Sequence, residues 1–150
     1  MYWQWLSFEK LLREDLYEVL KVRQAIFVVE QNCAYLDADD LDPASWHLMG
    51  WRETATGREL VAYLRVVFPG KKYPEPSIGR VLTTASVRGT GVGKTLTREA
   101  ITRIALEYPH MSIRISAQRY LEKFYSEFGF ETVSDPYDED GIPHIEMLRK

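Results

Sequence analysis

The sequence predicts an α+β fold, a mixed sheet covered by helices. Three observations predict it. Alternation at a period of two runs through Glu59–Phe68 and Met111–Ala117, as in strands. Apolar residues three and four apart run from Leu12 to Phe27 and again from Val92 to Tyr108, as in helices. The strand-like runs of the first half follow one another across short connections, which argues against a repeating strand–helix–strand series.

In chain order, Met1–Phe8 is rich in aromatics and reads as a strand. From Arg13 the period becomes helical, with Leu12, Leu16, Leu20 and Phe27 on one stripe beside Val19 and Ile26. Arg23 falls on that stripe. A buried guanidinium needs an anionic partner, and the alternative is a stem that packs while the head reaches water. Gln31–Ser45 reads as a loop carrying Asp37, Asp39, Asp40 and Asp42. Such a run is ordinarily a solvated loop, although beside a cleft it would draw in a cationic substrate.

Trp46–Trp51 and Glu59–Phe68 read as a hairpin around Thr54-Ala55-Thr56-Gly57. Proline and glycine make residues 69–76 an irregular loop, and Ser77–Thr83 is the next strand. Val92, Leu96, Ala100 and Ile104 then form an i, i+4 stripe that Pro109-His110 ends. Met111–Ala117 is a strand, Arg119–Phe128 a short helix, and Gly129 its C-terminal stop. Phe130–Val133 and His144–Leu148 read as two last strands around the acidic turn Asp135–Gly141. No repeat or linker divides residues 1–150, so a single domain is expected.

Composition narrows the function. With 45% hydrophobic and 27% charged residues the chain has the balance of a globular domain. A net charge of −3 argues against a nucleic-acid binder. No run approaches the roughly 18 apolar residues of a membrane span, and the N-terminus lacks a signal-peptide pattern. The one cysteine, Cys33, rules out an internal disulfide or a cysteine-rich metal site; no metal and a cytoplasmic setting are expected.

The stretch that carries chemistry is Arg88-Gly89-Thr90-Gly91-Val92-Gly93-Lys94, between a strand and a helix. Glycine lets backbone amides approach a ligand, and a helix N-terminus adds unpaired N–H groups and positive potential. That is a seat for phosphate. A nucleotide P-loop is out of register, because Arg88 stands where its opening glycine belongs. A dinucleotide fingerprint has a different glycine spacing and needs a βαβ context.

Arg88-x-x-Gly91-x-Gly93 instead resembles the R/Q-x-x-G-x-G/A loop of the GNAT (GCN5-related N-acetyltransferase) superfamily. Downstream, Gln118 to Phe130 resembles the N-x-x-A-x-x-L-Y-x-x-x-G-F pattern of those proteins, with Tyr125, Gly129 and Phe130 in register. Gln118 stands in place of the common asparagine and Leu121 in place of the common alanine. Arg23–Cys33, His47–Trp51 and Tyr137–His144 resemble the ElaA-like branch.

The resemblance implies a GNAT fold, with a mostly antiparallel sheet of about seven strands flanked by helices. It implies acetyl-CoA as donor and direct attack by an amine, small-molecule or peptidyl, in a ternary complex. The pantetheine arm would pair with the strand at Leu82 and Thr83. The pyrophosphate would lie over Arg88, Gly89, Gly91, Val92, Gly93 and Lys94, with Gln118 nearby. Tyr125 would protonate the leaving thiolate. Arg23, Phe27, Glu30, His47 and His144 are candidates for the acceptor side, and no single base stands out among Glu30, His47 and His144. Cys33 is a nucleophile only on paper. The chain would be a monomer or homodimer. Two other readings remain: a catalytically idle CoA-binding module, and an acyltransferase like the acyl-homoserine lactone synthases, which the Arg-x-x-x-Phe element at Arg23 resembles.

Overall fold

In the computed structural model, which describes residues 1–150, four antiparallel strands form the first sheet in sequence order. These are β1 (Tyr2–Ser7), β2 (Ser45–Thr54), β3 (Gly57–Val67) and β4 (Ser77–Thr83). Gly57 starts β3 at φ +141°, a conformation that favours glycine, and so closes the short hairpin. A second sheet contains β5 (Ile113–Gln118), β6 (Glu131–Thr132), β7 (Tyr137–Glu139) and β8 (Ile142–Arg149). β8 pairs with β5 along one edge and with β6 and β7 along the other, all antiparallel.

Two helices cover the strands. α1 (Arg13–Arg23) continues without a break into a π-helical segment, Gln24–Glu30. α2 (Val92–Glu107) connects β4 to β5, and the short α3 (Glu122–Ser126) follows β5. The larger core cluster joins Leu96, Ala100 and Ile104 of α2 to Leu64, Val66, Ile115 and Met147 of the strands. The smaller one sets Val19 of α1 against Met49, Trp51, Tyr63 and Leu82. Each such buried aliphatic side chain contributes about 1.5–3 kcal/mol of transfer free energy. No helix is long and apolar enough to cross a membrane.

The strand-and-helix order expected from the sequence is present, with three differences. The stripe on α1 is less apolar than its spacing suggests. Leu12 lies before the helix in extended backbone and is 61% exposed, while Asp15 takes an inward position and accepts from Arg58 Nη2 at 2.7 Å. The helix expected over Arg119–Phe128 is a 3₁₀ turn, Arg119–Leu121, followed by α3. The acidic turn contains an eighth strand, β7, which pairs with β8 around Asp140 (φ +52°) and Gly141 (φ +82°). Two successive left-handed residues make the type I′ geometry of a tight hairpin.

Candidate active site

β4 and β5 lie side by side, and one backbone hydrogen bond joins β5 to the chain just before β4, from the Arg114 N–H to the Pro76 carbonyl at 3.1 Å. No ladder joins them beyond it, and a cleft of about 300 Å³ is lined by both strands. A β-bulge shapes the β4 wall. Tyr63 stands opposite Leu82 and Arg65 opposite Gly79, so Arg80 and Val81 together face Leu64. Arg80 adopts φ +52°, the left-handed region that an arginine rarely occupies.

That strained residue is held by its own side chain. Arg80 Nε donates to Asp37 Oδ1 at 2.8 Å and Nη2 to the Asp37 carbonyl at 3.0 Å. Asp37 also accepts from Arg23 Nε at 2.9 Å, and Arg23 Nη1 reaches Asp42 Oδ1 at 2.7 Å. Arg65 completes the set, with Nη1 donating to Asp39 at 2.7 Å and to Asp42 at 2.9 Å. Three arginines and three aspartates thus neutralise one another beneath the loop between the π-helical segment and β2. Burial alone would raise the Asp39 and Asp42 carboxyls. The guanidinium bonds outweigh it: Arg65 holds Asp39 well below the usual carboxylate range, and Arg23 with Arg65 holds Asp42 below it.

One end of the cleft lies where β4 leads into α2. Gly89 (φ +79°) and Gly91 (φ +88°) both take left-handed backbone, and nothing lies within 4 Å of where a side chain would begin. The amides of Gly89, Gly91, Val92, Gly93 and Lys94 donate to nothing within the protein, and no side chain caps α2. The result is a row of free N–H groups at the positive end of a 16-residue helix. Leu82, Thr83, Gly93 and Gln118 line the adjoining cleft. Arg88 Nη1 and Nη2 reach the two Glu30 oxygens at 2.6 and 3.1 Å, and Lys94 Nζ lies 3.5 Å from Glu127.

Tyr125 also lines the cleft, 6% exposed. Its ring packs edge-on against Phe124 and Phe130, with centroids 5.1 and 5.9 Å away, and burial pushes its hydroxyl up to about 12. The left-handed Gly129 (φ +89°) turns the chain so that Phe130 can return beneath that ring.

The expected acceptor residues separate into two groups. Phe27 and His144 line the cleft; Arg23, Glu30 and His47 do not. Arg23 and His47 are fully buried and their polar atoms are committed, so neither is free to hold a substrate. His47 Nδ1 lies 2.7 Å from the Tyr63 hydroxyl and Nε2 lies 3.0 Å from the Asp42 carbonyl, and burial holds the ring's pKa below its ordinary value. Glu30 is exposed and pairs with Arg88 beside the glycine turn. Three of the four aspartates of the acidic loop, Asp37, Asp39 and Asp42, are committed to arginines, and Asp40 alone stays exposed. The structure instead places Glu139, Lys72 and Arg65 at that end of the cleft, where sequence reasoning did not look. His144 Nε2 lies 3.2 Å from Glu139 Oε2 and Nδ1 lies 2.7 Å from the Ile142 carbonyl. Cys33 is half-buried at the mouth, its Sγ 3.5 Å from the Asp140 carbonyl.

A parted sheet with an amide cradle at the following helix defines the acetyltransferase class. Residues 54–150 match the acetyltransferase (GNAT) domain, and the chain belongs to the GNAT family. Within it the chain is an N-acetyltransferase of the ElaA-like branch. Protein ElaA of Escherichia coli (strain K12) is 39% identical over 150 residues, spanning 99% of this chain and 95% of its own. The crystal structure of E. coli ElaA matches at a TM-score of 0.91 and 38% identity over 99% of both chains. That of an acyl-CoA N-acyltransferase from Pseudomonas aeruginosa matches at 0.93 and 36% identity, again over 99% of both. UPF0039 protein sll0451 of Synechocystis is 49% identical over 146 residues, 97% of this chain and 93% of its own.

Proposed function

We propose that the protein transfers an acetyl group from acetyl-CoA to an amine by direct attack while both are bound. One observation carries the reading: the amides of Gly89, Gly91, Val92, Gly93 and Lys94 are unpaired, and Gly93 among them lines the same cleft as Tyr125. A pyrophosphate on the amides and a pantetheine arm along β4, at Leu82 and Thr83, bring a thioester between the parted strands. Only a donor with both parts uses both features.

The residues then divide the work. The neutral amine attacks the thioester carbonyl, the C–S bond breaks as the tetrahedral intermediate collapses, and the proton the amide nitrogen sheds returns to the Tyr125 oxygen through solvent once that hydroxyl has protonated the departing thiolate. The Tyr125 hydroxyl makes no hydrogen bond within the protein, and at about 12 it stays protonated at neutral pH, so it can donate to the sulfur. The Glu139–His144 pair receives the proton that the ammonium form of the acceptor must lose before it attacks. Thiol release with acetyl-CoA and a panel of amines tests this. Wild type turns over at least one amine, and Tyr125→Phe lowers kcat by about 10²-fold with acetyl-CoA affinity kept. Acetyl-CoA binding with no turnover of any amine would favour the idle module.

A further inference from the structure

Two cationic groups at the acceptor end of the cleft carry a donor with no direct hydrogen-bond or ion-pair partner. Arg65 is 2% exposed and lines the cleft; its terminal nitrogens are taken by Asp39 and Asp42, but its buried Nε–H meets no acceptor. A buried N–H left without an acceptor is destabilising, and folded proteins rarely retain one without a use. Lys72, on the loop before β4, lines the same end; its ammonium makes no direct ion pair, lies 5.5 Å from the Tyr73 ring, and feels the charges of Glu139 and Asp39 from a greater distance. The remaining cation there, Arg80, is spent on Asp37 and Asp39.

The same end of the cleft also carries an anion. Glu139 on β7 lines it together with His144, and no arginine or lysine makes a direct ion pair with that carboxylate, although the Lys72 charge is felt there. Cationic donors without a direct partner and a carboxylate without a direct cationic partner therefore share one chamber. An amine without an anionic group could use Glu139 but would leave Lys72 and the Arg65 Nε–H without a direct partner. An amine that carries its own carboxylate satisfies both features.

We propose that the acceptor is a carboxylate-bearing amine, an amino acid or the end of a peptide, whose carboxylate is bound by Lys72 and Arg65 and whose amine lies towards Glu139 and His144. The proposal rests on the acetyltransferase reading above and names the substrate class of that site.

Matched pairs differing by one carboxylate test it: leucine against 3-methylbutylamine, phenylalanine against phenethylamine, and lysine against cadaverine. Each is assayed for thiol release with acetyl-CoA, and each is titrated calorimetrically into the enzyme loaded with CoA. At least one carboxylated member is expected to exceed its partner in kcat/KM by about tenfold or more. Lys72→Met is expected to remove most of that preference through KM, Lys72→Arg to restore much of it, and neither to change the KM for acetyl-CoA. Lys72 is exposed on a loop, so its variants remain folded, whereas Arg65→Met removes a member of a buried ion network. Equal or better use of the decarboxylated members overturns the proposal, as does a preference that survives Lys72→Met. Absence of both turnover and binding for every carboxylated member overturns it too. Any of these with acetyl-CoA binding intact leaves the donor half of the acetyltransferase reading standing; loss of acetyl-CoA binding in wild type would overturn that reading itself.

Discussion

Asp37 is held at two points by Arg80, through Oδ1 at 2.8 Å and its backbone carbonyl at 3.0 Å, and this grip keeps an arginine at φ +52°. The bulge that helps part β4 from β5 is thereby fastened to a loop some forty residues earlier in the chain. Arg23 meets the same carboxylate from α1, so one aspartate links a helix, a loop and the cleft wall.

Removing that link should be costly. Asp37→Ala leaves two guanidinium groups short of a counter-charge, one of them fully buried, and broken buried pairs lose about 3–5 kcal/mol. The expected result is a much lower denaturant midpoint at an unchanged slope, with activity falling further than stability explains because the bulge relaxes.

The pH dependence of stability follows from the same network. Asp39 and Asp42 have folded-state pKa values below their unfolded ones, so their contribution is complete above about pH 4 and is lost as pH falls through the folded values. His47 acts in the same direction from a higher pH. It is buried with a lowered pKa, so below about pH 6.5 the unfolded chain takes up a proton that the folded one resists. Chemical denaturation across this range should show stability declining in two steps towards acid. His47→Gln should flatten the upper step and Asp42→Asn the lower.

Gly91 caps α2 at φ +88° with open space around it, so a side chain there meets strain rather than a clash. Left-handed backbone costs a non-glycine residue about 1–2 kcal/mol. Gly91→Ala should therefore lower the unfolding free energy by about that amount, and place a methyl group at the amide row. A raised KM for acetyl-CoA with kcat nearly unchanged is the expected kinetic outcome.

Arg88 and Glu30 form an exposed pair beside the glycine turn. Arg88→Gln should weaken acetyl-CoA binding several-fold while leaving the thermal midpoint where it was. Glu30→Gln frees the guanidinium for phosphate, so donor affinity should hold or improve. Calorimetry at low and moderate salt checks both, the Arg88 effect shrinking as salt rises.

The local patterns carried much of this structure. The period of two in β3, the i, i+4 stripe of α2 and the glycine turn before it were all legible, because each depends on neighbours in sequence. Arg23 was legible as a charge on an inner helix face, but its partners lie 14 and 19 residues away and no local pattern reveals them. The same logic applied to β3 would have found Arg65, which alternates with the buried Tyr63 and Val67. The Asp140-Gly141 pair was a hairpin signal overlooked inside an acidic run, and with it went Glu139. Lys72 sits in an irregular loop, and only the folded chain brings it to the cleft.

The central claim is that the turn from Arg88 to Lys94 and the parted strands bind acetyl-CoA. Calorimetric titration of the intact protein with acetyl-CoA, and separately with ATP and magnesium, tests it most directly. Saturable binding of acetyl-CoA, weakened in Gly91→Ala, with no heat from ATP and magnesium, is the predicted result. Binding of ATP with magnesium and none of acetyl-CoA would contradict it.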